Sequence, residues 1–259
     1  MATPVLQNLL FTLGLSLFVQ AVFFGFAATL RTDKVTDLAY GLTFVLIAGA
    51  LLARSEEAGA APVVLAGMVI VWGVRLAGYL LFRIVHMGRD ARFDGIRERF
   101  WSFFKFWAFQ GVAVWVILLP VTLWFSRPGP WTPWMSAGAS VWLVGLVMES
   151  VADQQKFAFK RTPLGRSRWT DVGLWRYSRH PNYCGELLCW WGVFLFAAPG
   201  LGGFLPLAVV GPIAITGILL FATGIPTLEA SARKKWGDDP EYQAYRRRTR
   251  TLLPLPKRS

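Results

Sequence analysis

Apolar residues recur along this chain in runs that are too long for ordinary soluble helices, and charged residues collect between them. A helix needs about 20 residues to cross a hydrocarbon core of roughly 30 Å. The runs predict seven membrane-spanning helices, near residues 5–30, 36–53, 61–85, 103–126, 134–152, 183–199 and 203–225. We therefore expect an all-α integral membrane protein in which residues 1–259 form a single membrane domain.

Basic residues mark every second connection between these runs. They are dense in 86–102, in 153–182 and in the tail 226–259, whereas the intervening connections are acidic or nearly uncharged. The positive-inside rule then places the N-terminus outside and the C-terminus in the cytoplasm. The three basic segments are expected to form a cytoplasmic cap that holds a cofactor, and a bacterial inner membrane is the expected location.

Composition narrows the class of protein further. Hydrophobic residues make up 54% of the chain and charged residues only 16%, which is not a soluble composition. The net charge of +12 could indicate nucleic-acid binding, but the basic residues follow the membrane topology, so no nucleic-acid partner is expected. Cys184 and Cys189 fit neither a zinc site nor a disulfide framework, and no metal site is expected.

The segment Gly173–Glu186 concentrates polar groups at the entrance of the sixth span. Tyr177, Arg179, His180, Asn182 and Glu186 fall where lipid cannot satisfy their hydrogen bonds, so a polar ligand or mutual pairing must do so. An interfacial anchor that contacts lipid phosphates is the plainer interpretation. Glu186 lies inside the apolar run, and this position favours a binding site.

A second group of polar residues follows the fifth span. Glu149 and Asp153 are four residues apart, and Lys156 and Lys160 continue close to the same side of a helix. The carboxylates could accept from ribose hydroxyls or an adenine amine while the lysines pair with phosphates, which predicts a nucleotide site. A helix end with internal salt bridges is the alternative.

Arg75 stands deep in the third span and needs a partner or a hydrated cavity. Asp37 and Tyr40, at the end of the second span, could share that cavity. Snorkelling to the interface is the alternative, although Arg75 is about two turns from the basic connection.

These polar segments together resemble the steroid 5-alpha-reductase family, most closely its bacterial branch of membrane proteins. The resemblance runs through 35–41, 72–76, 88–92, 153–156, the block 173–186, and the closing Glu229, Tyr242, Tyr245 and Pro254. The block 173–186 is the most specific of these motifs.

The resemblance implies seven helices, NADPH in a pocket open to the cytoplasm, and a sterol-like or other lipid substrate that enters from the bilayer. Hydride would pass to the β carbon of an alkene conjugated to a carbonyl. Positions expected to contact the cofactor by family likeness are Arg75, Asp153, Lys160, Tyr177, Asn182 and Glu186. The wider expected set adds Lys156, Arg179, His180 and Tyr242.

The residues that act on a steroid ketone in that family are changed here. The second span offers Asp37 and Tyr40 in place of a glutamine–glutamate pair, and the tyrosine position of the third span is Trp72. We expect Tyr40 to donate to the developing enolate, with Asp37 or Arg75 orienting its phenol.

Two other functions fit parts of the same sequence. Arg179-His-Pro-Asn-Tyr183 with a downstream glutamate also resembles the isoprenylcysteine carboxyl methyltransferases, which bind S-adenosylmethionine. That pattern usually has two adjacent glutamates, whereas Ala230 follows Glu229 here. A non-enzymatic lipid-binding protein is the second alternative, and it leaves the buried Glu186 unexplained.

Overall fold

The structure, a computed structural model, describes residues 4–57, 59–87 and 95–255, and for 83–87 it describes the backbone alone. The motif 88–92 and part of the connection 86–102 therefore lie outside the described residues. Helices account for nearly all of the regular structure, and the described ranges contain no strand.

The helices follow one another with short connections. They are α1 Pro4–Thr29, α2 Thr36–Ala53, α3 Ala60–Met87, α4 Phe100–Ile117, α5 Leu119–Ser126, α6 Pro133–Arg161, α7 Pro163–Ser167, α8 Pro181–Leu201, α9 Leu205–Ala208, α10 Val210–Gly217, α11 Ile225–Trp236 and α12 Pro240–Arg248. Short 3-10 turns cover Gly173–Arg176 and Gly202–Phe204, and one π-helical turn covers Ile218–Ala222.

Seven stretches among the described residues are long and apolar enough to cross a membrane. They are Pro4–Thr29, Thr36–Ala53, Ala60–Phe82, Phe100–Ile117, Pro133–Arg161, Pro181–Ala208 and Val210–Trp236. The prediction of an all-α integral membrane protein with seven spans is thus confirmed, whereas the orientation of the termini stays a prediction. The fifth span continues to Arg161 instead of ending near 152, so its polar residues lie on the same helix as its apolar ones.

The fourth span is shorter than predicted because its helix is interrupted at Leu118. Pro120 follows at the start of α5, and a proline cannot donate the backbone hydrogen bond that a continuous helix needs.

The chain divides into two compact units. Met1–Ala139 and Val193–Gly211 form the N-terminal unit, and Ser140–Gly192 and Pro212–Ser259 form the C-terminal unit. Whether they act as the predicted single membrane domain stays a prediction.

In the N-terminal unit, α2 and α3 pack at close range because small residues face each other. A Cβ atom on Gly41 would lie 2.9 Å from both the Ala77 Cβ and the Gly73 carbonyl oxygen. Small residues allow such close helix contacts in membranes, where dispersion replaces the hydrophobic effect as the driving force. The large side chains of Phe44 and Trp72 fill the adjoining core.

Buried amides join α1, α2 and α4 in the same unit. Gln20 donates to the Thr43 hydroxyl at 2.8 Å, and Gln110 donates to the Gln20 side-chain oxygen at 2.9 Å. Amides in hydrocarbon are costly unless they are hydrogen-bonded. This network therefore fixes which faces of the three helices meet.

In the C-terminal unit, glycines bring α6 and α8 into backbone contact. A Cβ atom on Gly145 would lie 2.6 Å from the Gly185 carbonyl oxygen, and one on Gly192 would lie 2.5 Å from the Trp142 backbone nitrogen. The crossing fixes the register of the two helices that carry the polar segments. It thereby positions Glu149 of α6 beside Gly185, the residue before Glu186.

Candidate functional site

A cavity of about 370 Å³ opens in the C-terminal unit among the ends of α6 and α11, helix α12 and the segment between α7 and α8. Within the described part of the chain, its lining combines five cations and a single carboxylate with indole and phenol rings. The cations are Lys156, Lys160, Arg166, Arg179 and Lys235, the carboxylate is Glu229, and the rings are Trp169, Trp175, Trp236, Tyr242 and Tyr245.

The structure brings five of the ten predicted cofactor residues to this cavity. They are Lys156, Lys160, Arg179, His180 and Tyr242. Two of them come from α6, two from the block 173–186 and one from α12, so the helix contacts bring together residues that are distant in sequence.

The wall between α7 and α8 is fastened to α6. Gly173 adopts a left-handed φ of +53°, and the Gln155 side chain occupies the space where a Cβ would be. The Gln155 oxygen accepts from the Leu174 backbone N–H at 2.8 Å, and the Trp175 indole donates to a backbone carbonyl of α6 at 2.9 Å. The ammonium of Lys156 then lies 4.8 Å from the Trp175 ring centroid, a cation–π contact.

A second wall of the cavity is formed by α7 and the end of α11, which meet at a corner. The Lys160 ammonium donates to the carbonyl oxygens of Gly165, at 2.9 Å, and of Arg168. The Trp236 indole donates to the Ser167 carbonyl at 3.2 Å, and its ring centroid is 5.2 Å from the Lys160 nitrogen. Lys160 therefore uses most of its donors to hold the corner together.

Glu229 is held by an arginine and a histidine. Its Oε1 accepts from Arg179 Nε at 2.9 Å and lies 3.0 Å from His180 Nε2, while Oε2 is 3.6 Å from Arg246. An ionised carboxylate only accepts, so Nε2 of His180 must carry the hydrogen.

Burial lowers the pKa of His180 and outweighs the opposing effect of Glu229. The imidazole is therefore neutral near pH 7, with a lone pair on Nδ1. That buried atom has no hydrogen-bond partner in the described part of the protein, and a ligand N–H or O–H could satisfy it.

Arg179 also fastens the end of the chain to the site. Its guanidinium donates to the carbonyl oxygens of Arg246, at 3.1 Å, and Thr249, at 2.7 Å, and to the Thr251 hydroxyl at 2.9 Å. Its backbone N–H donates to the Arg250 carbonyl at 2.8 Å. Together with the bond to Glu229, four of the five guanidinium N–H groups donate to acceptors within the chain. Arg179 thus acts as a clasp, meaning that it holds the end of the chain to Glu229 of α11.

The phenols of α12 complete the lining. Asp239 caps α12 by accepting from two backbone N–H groups, which orients Tyr242 and Tyr245 toward Trp169. Tyr245 donates to the Trp175 carbonyl at 2.8 Å. Burial raises the pKa of both phenols, so both are neutral donors at physiological pH.

The other predicted cofactor residues of this unit occupy different places. Asp153 and Glu186 are buried within the unit, Asn182 is partly buried, and Tyr177 is 44% exposed. None of the four belongs to the lining of the 370 Å³ cavity as the described residues define it. Their expected contact with a cofactor stays a prediction.

The remaining predicted residues belong to the N-terminal unit. Asp37 lies in the first turn of α2, and the Tyr40 ring packs edge-on against Phe44 at 5.1 Å. Phe44 in turn contacts Trp72, and Arg75 follows one turn later on α3. The packing of α2 on α3 thus joins the two segments that sequence reasoning expected to share a cavity. The catalytic role of Asp37 and Tyr40 stays a prediction.

A comparison with protein families gives one match, described as "Protein of unknown function (DUF1295)", over residues 23–249. The chain belongs to the DUF1295 family. No protein of curated function and no solved structure matches the chain.

The DUF1295 match includes every predicted site residue, from Asp37 to Tyr242, and all of the cavity lining. The two units therefore belong to the same family region, although the matched description assigns them no activity.

Sequence reasoning gave no role to several residues that line this site. Glu229 entered only through the family resemblances, and Arg166, Lys235 and Trp236 lie in the basic segments 153–182 and 226–259 without a role of their own. A signal was available for α11, because Leu228, Glu229, Ala232, Lys235 and Trp236 recur at helical spacing. The contribution of α7 had no such signal, because a single helical turn has no periodicity.

Proposed function

We propose that this DUF1295 protein is an NADPH-dependent reductase of a carbon–carbon double bond conjugated to a carbonyl, in a sterol-like or other lipid. The observation that carries the proposal is the cavity of the C-terminal unit, in which cations and aromatic rings surround a single carboxylate. The resemblance to the steroid 5-alpha-reductases supplies the reaction class.

The donors in the cavity suit a ligand that bears several phosphates. Lysine and arginine form charge-assisted hydrogen bonds with phosphate oxygens, and these bonds are stronger where water is partly excluded. NADPH carries a pyrophosphate and a 2′-phosphate, so its charge opposes that of the lining. S-adenosylmethionine carries a sulfonium and an ammonium against one carboxylate, so the same lining would repel it.

The neutral His180 suits the same ligand class. Its unprotonated Nδ1 can accept from a ribose hydroxyl or an amide N–H, while Glu229 keeps the imidazole in that tautomer. Buried neutral acceptors of this kind favour ligands that bring their own donors.

The chemistry follows from what each group supplies. NADPH, when bound, supplies the hydride that adds to the β carbon of the conjugated alkene. In the proposal, Tyr40 donates a hydrogen bond to the carbonyl oxygen as it gains charge, with Asp37 or Arg75 orienting the phenol. Uptake of a proton from water at the α carbon completes the addition of two hydrogens across the double bond.

The membrane location fits a lipid substrate. Seven apolar helices take up most of the described ranges and leave no room there for a separate soluble substrate domain. We therefore propose that the substrate arrives from the bilayer. By the positive-inside rule, we propose that the basic segments around the cavity face the cytoplasm, where NADPH is available. A bacterial inner membrane is the proposed location.

The test is thermal unfolding of the detergent-purified protein with NADPH, NADH or S-adenosylmethionine, because a ligand that binds only the folded state raises the unfolding temperature. We expect a rise with NADPH. The matched variants are Lys156→Gln, in the lining, and Arg161→Gln, which is exposed at the end of the same helix. Lys156→Gln should reduce the rise and Arg161→Gln should preserve it.

Other outcomes would point to the alternatives. A rise with S-adenosylmethionine alone would indicate methyl transfer. No rise with any of the three ligands would contradict the reductase and favour a lipid-binding protein.

A further inference from the structure

We propose that Arg166 and Lys235 form a subsite for a phosphomonoester dianion, and that this subsite takes the 2′-phosphate of the dinucleotide. The inference rests on the proposed function and deepens it, since it assigns to two residues the discrimination between NADPH and NADH.

Both residues stand at one corner of the cavity. Arg166 precedes Ser167 and Lys235 precedes Trp236, and the Trp236 indole donates to the Ser167 carbonyl at 3.2 Å. That hydrogen bond joins α7 to the end of α11, and each of the two cations is the sequence neighbour of one of its partners. Both residues belong to the lining of the cavity.

Two other cations of the lining use most of their donors within the chain. Lys160 donates to two backbone carbonyls of the corner, and Arg179 binds Glu229 and the tail. Lys156 belongs to the wall formed by the block 173–186, where it lies over the Trp175 ring. These three groups shape the site and contribute to its positive field.

Arg166 and Lys235 are different. Their side chains are exposed, and in the described part of the chain neither forms a hydrogen bond or an ion pair through its charged group. Lys235 makes one cation–π contact, with its nitrogen 4.8 Å from the Trp236 ring centroid. The donors that a dianion needs are therefore available here, because no carboxylate has to be displaced.

The pairing of a guanidinium with an ammonium fits a terminal phosphate. The guanidinium can bind two oxygens of one phosphate, and the ammonium adds a compact charge from another direction. A 2′-phosphate is a terminal group with three free oxygens, whereas each phosphate of the pyrophosphate is a monoanionic diester. The Lys160 ammonium, 5.2 Å from the same Trp236 ring, increases the field at this corner.

The experiment compares ligands that differ by that phosphate alone. Full-length protein in nanodiscs of neutral lipid is titrated with NADPH and NADH, and with the redox-inactive fragments 2′-phospho-ADP-ribose and ADP-ribose. The variants are Arg166→Gln, Lys235→Gln and the double variant. Arg161→Gln and Lys234→Gln are the controls, since both remove an exposed cation of α6 or α11 that lies outside this lining.

We expect wild-type protein to prefer the 2′-phosphorylated member of each pair. Either single variant should reduce that preference about tenfold, as expected for the loss of one charge-assisted contact to phosphate. Affinity for NADH and ADP-ribose should change much less, and both controls should keep the wild-type preference.

The failures are distinguishable. If NADPH and NADH both bind and Arg166→Gln and Lys235→Gln leave the preference unchanged, the subsite is wrong while the proposed function stands. If no dinucleotide binds to the wild-type protein, both are wrong. A lipid phosphate could offer similar chemistry, so nanodiscs containing phosphatidic acid form a further arm. If they abolish the preference of the wild-type protein, the pair is a lipid-headgroup site and the assignment to the 2′-phosphate is overturned.

Discussion

Replacement of Arg179 by lysine tests whether this residue is a clasp of the folded chain. The charge is retained, but one ammonium cannot reach the four acceptors that the guanidinium binds, namely Glu229, two tail carbonyls and the Thr251 hydroxyl. Lysine carries its donors on one atom whereas the guanidinium spreads them over three, so at least two hydrogen bonds are lost, and each acceptor left unsatisfied in a part-buried position costs about 1–3 kcal/mol. We expect Arg179→Lys to lower the free energy of unfolding by about 2–4 kcal/mol.

For a chain of this size that loss corresponds to about 5–12 °C in unfolding temperature. Arg176→Lys is the matched control, because Arg176 ends the 3-10 turn three residues before Arg179, is exposed and donates one side-chain hydrogen bond at 3.2 Å. The assay is thermal unfolding in detergent without nucleotide, with limited proteolysis to detect release of the tail. If Arg179→Lys unfolds at the temperature of Arg176→Lys and its tail stays protected, the reasoning is refuted.

Three further outcomes are expected. Gly173→Ala should destabilise the protein by about 1–3 kcal/mol, because a side chain is strained at φ +53° and would collide with Gln155. Gly203→Ala is the control and should keep the wild-type stability, because a Cβ atom there would meet open space. Equal unfolding temperatures of the two variants would contradict the prediction. Because burial lowers the pKa of His180, the unfolded chain takes up this proton first as pH falls below about 6.5. The stability that neutral His180 contributes is thus present above that pH and lost as the pH falls below it. His180→Gln should therefore flatten the fall in unfolding temperature between pH 7.5 and 5.5. An unchanged slope would contradict this role of His180. Tyr40→Phe should reduce turnover of a conjugated substrate far more than NADPH affinity, whereas unchanged turnover would remove Tyr40 from the acid role.

The membrane spans could be predicted from the sequence because each is a long local signal. Their ends were less predictable, since polar residues do not by themselves end a helix. In α6, Asp153, Lys156 and Lys160 continue the helix to Arg161, and the two lysines then contact other parts of the protein through a ring contact and hydrogen bonds. Pro120, just after the break at Leu118, is a local signal of an interrupted helix, but the hydrophobic pattern runs through it without a change.

The candidate site was only partly predictable, because its main contacts join distant segments. The block 173–186 identified Arg179 and His180 as unusual, but their common partner Glu229 is about fifty residues away in sequence. The contact of Trp236 with Ser167 depends on a turn of α7 that has no periodic pattern. Chemistry of single residues can therefore be recognised in a sequence, whereas pairing across such distances comes from the fold.

The shared motif Arg179-His180 is consequently a weak guide to which cofactor this protein binds. Both side chains are bound to Glu229, and Arg179 is also bound to the tail, so the motif builds the frame of the cavity. A reductase and a methyltransferase could both use such a frame, which explains why the same residues resemble both families. The difference must come from groups that the frame leaves available. In our proposal those groups are the exposed cations Arg166 and Lys235, whose positive charge would favour a phosphorylated dinucleotide over a sulfonium.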